Sequence, residues 1–286
     1  ISGRYANTIL YEESFAYLSI FTKLTKTRTL LIFHHVGNYF SSQTLIERLK
    51  EMLLGFNLKA SSLCDVVVFP TNKVKDDYRK IIKSKSTLEV IPNAFDFSKL
   101  TIAHKKEVHV ECKKIIMLYI GTEETRKNLN CAVEGLAMSK NKHSYHFVKV
   151  GKALIKENRK KLLAILEEAN ISYDIYDQVD DATLCNLLNE SDVFLSPSLL
   201  EGFGRTPVEA QYFSSLVVAS NIPVFKEVLG GGAIFVERPE QSVSWMNVFD
   251  KLHEGTAPYE ELIKLGRTNS ERYSIDQVLK KFHCLL

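Results

Sequence analysis

SDVFLSPSLLEGFGRTPVEA, residues 191–210, sets the terms on which the rest of the chain is read. Val193–Leu195 is a short apolar run with polar flanks, the pattern of a buried strand. It passes into Ser196-Pro197-Ser198 and then into Glu201-Gly202-Phe203-Gly204. Thr206 is a favourable N-cap and Pro207 suits the first position of a helix. Glu209 follows Thr206 by three residues, the spacing of a capping box. The segment therefore predicts a strand, a glycine-bearing loop and a helix over Pro207–Ser214. The free N–H groups and positive dipole end of that helix would face whatever lies beyond the strand, and an anionic diphosphate suits such a place. Gly202 and Gly204 let the backbone come close to a ligand.

Working outward, the same alternation recurs. Short β-branched or aromatic runs at Thr29–Phe33, Val66–Phe69, Leu88–Ile91, Lys114–Ile120, His146–Val150, Val217–Ala219 and Ala233–Val236 read as strands. Amphipathic stretches between them read as helices, among them Ser42–Ala60, Lys73–Lys83, Asn130–Lys140, Lys152–Glu168, Asp181–Glu190 and Pro258–Arg272. Strands alternating with helices predict an α/β fold of parallel sheets covered on both faces. In such sheets ligands gather beyond the carboxyl ends of the strands. The polar stretch Ser98–Glu111, with Lys99, His104, Lys105, Lys106 and His109, reads as a linker ahead of the strongest strand.

Composition narrows the class. With 45% hydrophobic and 25% charged residues, the 286-residue chain has enough apolar surface to fold. A net charge of +3 argues against a nucleic-acid partner, yet allows weak attraction to an anionic donor or a lipid surface. The five cysteines are odd in number and lack CxxC spacing, which predicts reduced thiols in a cytoplasmic setting and neither disulfide framework nor zinc site. No apolar run approaches the about 18 residues of a spanning helix, so any membrane association is expected to be peripheral, on the cytoplasmic face. The chain opens on Ile1, not Met, and an upstream residue or segment is expected.

Two further segments carry chemistry. Tyr119–Leu129, YIGTEETRKNL, ends a strand at Gly121 and places Arg126 and Lys127 ahead of a helix. Two cations at a strand-to-helix turn can neutralise a pyrophosphate leaving group as its charge develops; the competing reading is a solvated basic turn. Phe33-His34-His35-Val36-Gly37 sets a histidine doublet at a strand end, and neither histidine has metal-ligand spacing to another candidate. There is no Asp-x-Asp triplet. With two basic phosphate ligands present, a reaction without metal is expected, and no metal residue is assigned.

The paired glutamates of EGFGxxxxE, together with SDVFLSPS and VVASNIP, resemble the signature of retaining glycosyltransferases of family 4, which have the GT-B fold of two Rossmann-like domains facing a cleft. The resemblance implies that Glu209 holds the ribose, and that Glu201 with Gly202, Phe203 and Gly204 holds the donor sugar. Arg205 and Thr206 complete the donor-binding loop. It further implies that Gly121, Arg126 and Lys127 lie at the donor phosphates. Thr122 stands where many relatives have arginine, which moves the phosphate load onto Arg126 and Lys127. His34 or His35 is expected near the reacting sugar, His34 aligning better. Gln178 and Val179 fall where the family sets backbone against the base.

CDVVVFPTNKVKDDY (64–78) and EVIPNAFD (89–96) resemble the end of the family's N-domain, and YSIDQVLKKFHCLL (273–286) resembles its last helix. The resemblance thus implies an acceptor-side N-domain over residues 1–100, a donor domain over 101–268, and a C-terminal helix over 269–286 crossing back to the N-domain. Residues 1–100 are fewer than a full N-domain of the family, so an absent segment or a second chain is expected to complete it. The implied reaction moves a sugar from a UDP-sugar or GDP-sugar to a hydroxyl of a glycan, lipid-linked or protein acceptor, with retention of anomeric configuration and without a cofactor. Two rivals are a sugar-nucleotide epimerase or hydrolase of the same fold, and a non-catalytic donor-binding subunit.

Overall fold

Val66-Val67-Val68-Phe69 has no polar side to turn toward water, so it must be covered on both faces, and in the computed structural model all four residues are buried. The structure describes residues 7–24, 27–34, 45–99, 114–254 and 259–285. The chain divides into two units, Ile1–Ala94 with Ile275–Leu286, and Phe95–Ser274.

In the first unit β1 (Asn7–Leu10), α1 (Ser19–Leu24), β2 (Arg28–Ile32), α2 (Leu45–Ala60), β3 (Val66–Phe69), α3 (Asn72–Ile81) and β4 (Thr87–Val90) follow one another. The strands pair in parallel in the order β1-β2-β3-β4. Successive residues of a strand point to opposite faces, and two cores result. Leu31, Phe33, Val67 and Phe69 join Val74 and Tyr78 on one face, with ring centroids of Phe33, Phe69 and Tyr78 5.0–5.7 Å apart. Leu30, Val66 and Val68 join Ile91 on the other. β1 was not among the expected strands: four residues with a polar start carry too little periodicity to stand out, and it is pairing with β2 that makes them a strand.

The second unit runs β5 (Ile115–Ile120), α4 (Leu129–Met138), β6 (Tyr145–Val150), α5 (Lys156–Glu168), β7 (Ser172–Tyr176), α6 (Asp181–Glu190), β8 (Val193–Ser196), α7 (Arg205–Tyr212), β9 (Leu216–Ser220), α8 (Pro223–Leu229), β10 (Ala233–Val236), α9 (Ser242–Glu254) and α10 (Tyr259–Glu271). All its strand pairs are parallel, in the order β10-β9-β8-β5-β6-β7. Counted within the unit this is 3-2-1-4-5-6, the doubly wound order whose direction reverses between the first and fourth strands. Met117, Phe147, Val193, Leu195, Leu216 and Val218 feed one core, closed by Trp245 and Phe249. Their neighbours Leu118, Val148, Phe194, Val217 and Ala219 feed the other, closed by Phe225 and Leu229. β7, SYDIY, was also missed: it is an edge strand, only partly buried, and its register against β6 decides it.

α11 (Ile275–His283) belongs to the first unit, where its Val278 packs with Leu30, Val66 and Val68. The chain passes from one unit to the other between Ala94 and Phe95 and between Ser274 and Ile275. Phe95 donates its N–H to the Tyr273 carbonyl at 2.9 Å, and its ring stacks near Phe97. Of the stretch Ser98–Glu111 expected as linker, residues beyond Lys99 lie outside the described ones. Among the described residues no helix is long and apolar enough to cross a membrane, and Cys64, Cys131 and Cys284 are free thiols.

Candidate active site at the sheet reversal

The crevice of a doubly wound sheet opens where strand order reverses, beyond the carboxyl ends of the flanking strands. Here those strands are β5 and β8, and the loops that follow them are the two richest in the expected site residues. They are joined to one another. Leu199 donates its N–H to the Arg126 carbonyl at 2.8 Å, and Arg126 Nη1 reaches the Leu200 carbonyl at 3.4 Å.

The loop after β5 is shaped by its own side chains. The buried Tyr119 hydroxyl donates to the Thr122 carbonyl at 2.7 Å, and burial pushes that phenol's pKa up. Thr125–Lys127 forms one 3-10 turn, and Asn128 takes a left-handed conformation (φ 56°) to start α4, its Nδ2 on the Pro239 carbonyl at 2.7 Å. This turn aims both cations across the crevice. Lys127 Nζ lies 2.5 Å from Glu201 Oε1, and Arg126 Nη1 lies 3.8 Å from Glu201 Oε2. Arg126 Nη2 also meets Glu124 Oε2 at 3.2 Å. The side chains of Lys127 and Glu201 are only 21% and 14% exposed, so this pair is far less screened than a surface ion pair. Arg126, Lys127 and Glu201 are therefore one cluster, although Lys127 and Glu201 are 74 residues apart in sequence.

The loop after β8 departs from the expected geometry. Thr206 is not an N-cap and Glu209 does not close a capping box: α7 begins at Arg205, capped by Gly204 at φ 86° and ψ 76°. Thr206 is the second helical residue and Pro207 the third. Proline costs nothing there, because the first four helix N–H groups lack intrahelical partners in any case. The turn is imposed by packing, since a Cβ at residue 204 would sit 2.6 Å from Phe225 Cε1. Glu209 thus lies one turn inside the helix, with Arg205 Nη2 3.8 Å from its Oε1. Burial raises the Glu209 pKa, while Arg205 pulls it down. The Arg205 guanidinium also lies 4.6 Å from the Phe95 ring centroid.

Phe203, expected at the donor sugar, is buried, with its ring edge-on to Tyr273 at 5.3 Å and 6.2 Å from Phe95. Its side chain belongs to the core, and only its backbone is left for the loop. Gly202 is partly exposed beside it, and Gly121 donates its N–H to the Val150 carbonyl at 2.8 Å. Gln178 is exposed and Val179 packs against the second core, just ahead of Asp180, which caps α6 through the Thr183 N–H. His34 follows β2 in the first unit, with Nε2 2.9 Å from the Tyr11 carbonyl; His35 lies outside the described residues. Among the described residues no three His, Cys, Asp or Glu side chains come together as metal ligands.

Sequence reading overlooked Glu123, Lys149 and Arg159, which form ion pairs beneath the β5 loop. A signal for one of them exists: Lys149 is the lone charge in the buried half of HFVKV, a run otherwise read as a strand.

Comparison with known proteins bears on the same region. The family described as Glycosyl transferases group 1 matches residues 101–269. The O-antigen chain mannosyltransferase RfbU of Salmonella typhimurium is 26% identical over 234 residues, covering 81% of this chain and 62% of that protein. The O-antigen biosynthesis glycosyltransferase WclY of Escherichia coli is 26% identical over 127 residues, 44% of this chain and 34% of that one. The chain therefore spans less than two thirds of the curated relatives it matches. Among solved structures, sucrose-phosphate synthase from Thermosynechococcus elongatus aligns with a TM-score of 0.79 at 16% identity, over 98% of this chain and 73% of that one. Anabaena HepE, solved with UDP and glucose, aligns with a TM-score of 0.77 at 15% identity, over 96% and 76%. At such identities the likeness is one of fold, and the fold is GT-B: α/β, with two parallel sheets.

Proposed function

The chain belongs to the group 1 glycosyl transferases, and on that premise we propose that it transfers a hexose from a nucleoside diphosphate sugar to an acceptor hydroxyl, with retention at the anomeric carbon. The observation that carries this reading is the cluster of Arg126, Lys127 and Glu201, which joins the loops after β5 and β8 at the sheet reversal. Lys127 and Arg126 would neutralise the diphosphate as it departs, since preorganised charge at a developing anion is worth several kcal/mol. Glu201 would steer the ammonium of Lys127 and accept hydrogen bonds from the sugar hydroxyls. Glu209 would accept hydrogen bonds from the two ribose hydroxyls, since it has no capping role, with Arg205 beside its Oε1 at 3.8 Å. Backbone N–H groups of Gly202, Phe203 and Gly204 would complete the sugar site, with Arg205 and Thr206 at its nucleotide side. Gly121 would admit the phosphates, and the backbone at Gln178 and Val179 would border the base. His34 or His35 would contact the sugar or the acceptor.

The mannosyl group is the first sugar to test, because the relative matched over 81% of this chain is a mannosyltransferase. UDP, GDP, UDP-glucose and GDP-mannose are added separately in a thermal-shift series. A ligand at a hundred times its Kd adds about 2.7 kcal/mol of stability, so the right nucleotide raises Tm and the wrong one leaves it unmoved. Proton NMR of the product then reads the anomeric configuration, and an inverted product overturns the retaining assignment. Turnover that survives excess chelator supports cationic side chains as the leaving-group stabilisers; turnover restored only by Mg or Mn refutes it. Free sugar or an epimerised nucleotide sugar formed without acceptor identifies the hydrolase or epimerase reading instead. Binding without turnover until a second chain is added identifies a subunit.

A further inference from the structure

Beneath the loop that carries Arg126 and Lys127 lies a second charged cluster. The Glu123 side chain is 1% exposed, and its Oε1 takes both Lys149 Nζ at 2.6 Å and Arg159 Nε at 2.5 Å. Lys149 is fully buried on β6, where burial lowers its pKa against the opposing pull of Glu123. Lys149 Nζ and Arg159 Nη2 both donate to the Gly151 carbonyl, the latter at 3.0 Å, and Arg159 Nη2 reaches Asp177 Oδ1 at 3.1 Å. Gly151 in turn lies against Gly121. Its φ is 131°, and a Cβ there would sit 2.4 Å from the Gly121 oxygen. The backbone above is gripped as well, for Asn158 Nδ2 donates to the Glu123 carbonyl at 2.5 Å and the Tyr119 hydroxyl to that of Thr122.

Two features separate this cluster from ordinary core filling. An apolar pair of similar volume serves stability as well as a buried ion pair, or better. A carboxylate placed for stability alone would also satisfy both its oxygens, whereas Glu123 Oε2 is buried with no hydrogen-bond partner among the described residues. What the cluster does achieve is positional. It ties the loop after β5, the end of β6 and the start of α5 to the Glu123 carboxylate, and Arg159 links them to Asp177 after β7, all beneath the loop that carries Lys127.

The geometry points to Glu123 as a positioning residue of the phosphate loop: its ion pairs with Lys149 and Arg159 fix the Gly121–Lys127 backbone in the register at which Arg126 and Lys127 meet the donor diphosphate. The inference rests on the donor reading for what the loop carries. It does not rest on it for the immobilisation of the loop.

Two variants test it, Glu123→Gln and the apolar pair Glu123→Leu with Lys149→Met. Each is followed by thermal melting, by amide exchange of the ligand-free protein, and by calorimetry with UDP and with GDP. The apolar pair removes both fully buried charges and leaves Arg159 on Asp177 and the Gly151 carbonyl, so it is expected to melt above Glu123→Gln, which strands Lys149 without its carboxylate. Both variants should exchange faster over residues 119–129, with other peptides unchanged. The affinity for the nucleotide that the parent binds should fall about 10- to 100-fold, the loss of one hydrogen bond to a charged group. Parental exchange over 119–129 and parental affinity in the apolar pair would overturn the inference, leaving Glu123 as core filling. Exchange that rises evenly through both halves of the sheet would do the same. If the parent binds neither nucleotide while exchange over 119–129 still rises in the variants, the donor reading falls and the positioning role stands.

Discussion

Lys127 and Glu201 meet across the reversal point of the second sheet, Nζ to Oε1 at 2.5 Å, one from the turn after β5 and the other from the loop after β8. The contact joins two loops that share a crevice, and it holds the ammonium on the carboxylate of the loop that leads into α7. Lys127→Ala should lower kcat about 100- to 1000-fold, the range for deleting one preorganised charge-stabilising donor. Steady-state kinetics alongside circular dichroism checks this. A folded variant with near-parental kcat would remove Lys127 from the leaving-group role.

Glu209 is expected to trade stability for binding. Its pKa is raised by burial, so the folded chain holds its proton more tightly than the unfolded chain does. At a pH above that raised value the folded state carries a charge that burial disfavours, and stability falls as pH climbs through the interval between the two values. Glu209→Gln should therefore raise Tm at neutral pH, with the gain vanishing as pH drops below the ordinary carboxylate range. The same variant should lose nucleotide affinity. In the parent, affinity should weaken in acid as the carboxylate protonates. Melting curves and calorimetry at several pH values read both effects, and a Glu209→Gln variant with parental affinity would end the ribose assignment.

Gly204 can be tested by its missing side chain. Its φ of 86° lies in the left-handed region, and an added Cβ would meet Phe225 at 2.6 Å. Gly204→Ala should cost about 1–3 kcal/mol from backbone strain alone, read as a lower urea midpoint. A variant as stable as the parent would mean that α7 can start elsewhere, as at the Thr206 cap that the sequence suggested.

Phe203 should behave as a core residue. Phe203→Ala is expected to destabilise the chain by about 3–5 kcal/mol, while Phe203→Leu, which keeps most of the volume, should retain donor affinity. Loss of affinity in a well-folded Phe203→Leu variant would show that the ring itself touches the ligand.

How much of this was legible beforehand follows from the range of the interactions. The strands β3, β5, β6, β8 and β9 announced themselves because a strand buried on both faces is a continuous apolar run. β1 and β7 did not, because polar residues interrupt their short apolar runs and pairing with a neighbour's backbone decides them, whereas the edge strand β10 keeps an unbroken apolar run. At the site, residue types and spacing picked out Arg126, Lys127, Glu201 and Glu209. They could not tell that three of these form one ion-pair cluster, nor that Phe203 turns inward, since each fact depends on loops that only the sheet brings together.

The helix at Glu209 shows the division most sharply. Thr206, Pro207 and Glu209 carry the local chemistry of a capping box, and a local rule placed the helix start accordingly. The tertiary structure started it two residues before Pro207, at Arg205, because Phe225 leaves room above the turn for a glycine alone. The amino-acid order by itself determined the α/β alternation, the glycine-bearing loop after β8 and the residues available for chemistry, all of which follow from short-range periodicity and turn propensity. The parallel strand order decided the rest: which loops face each other, which charges pair, and that a buried lysine near the end of β6 would find its carboxylate 26 residues earlier, below the loop it holds.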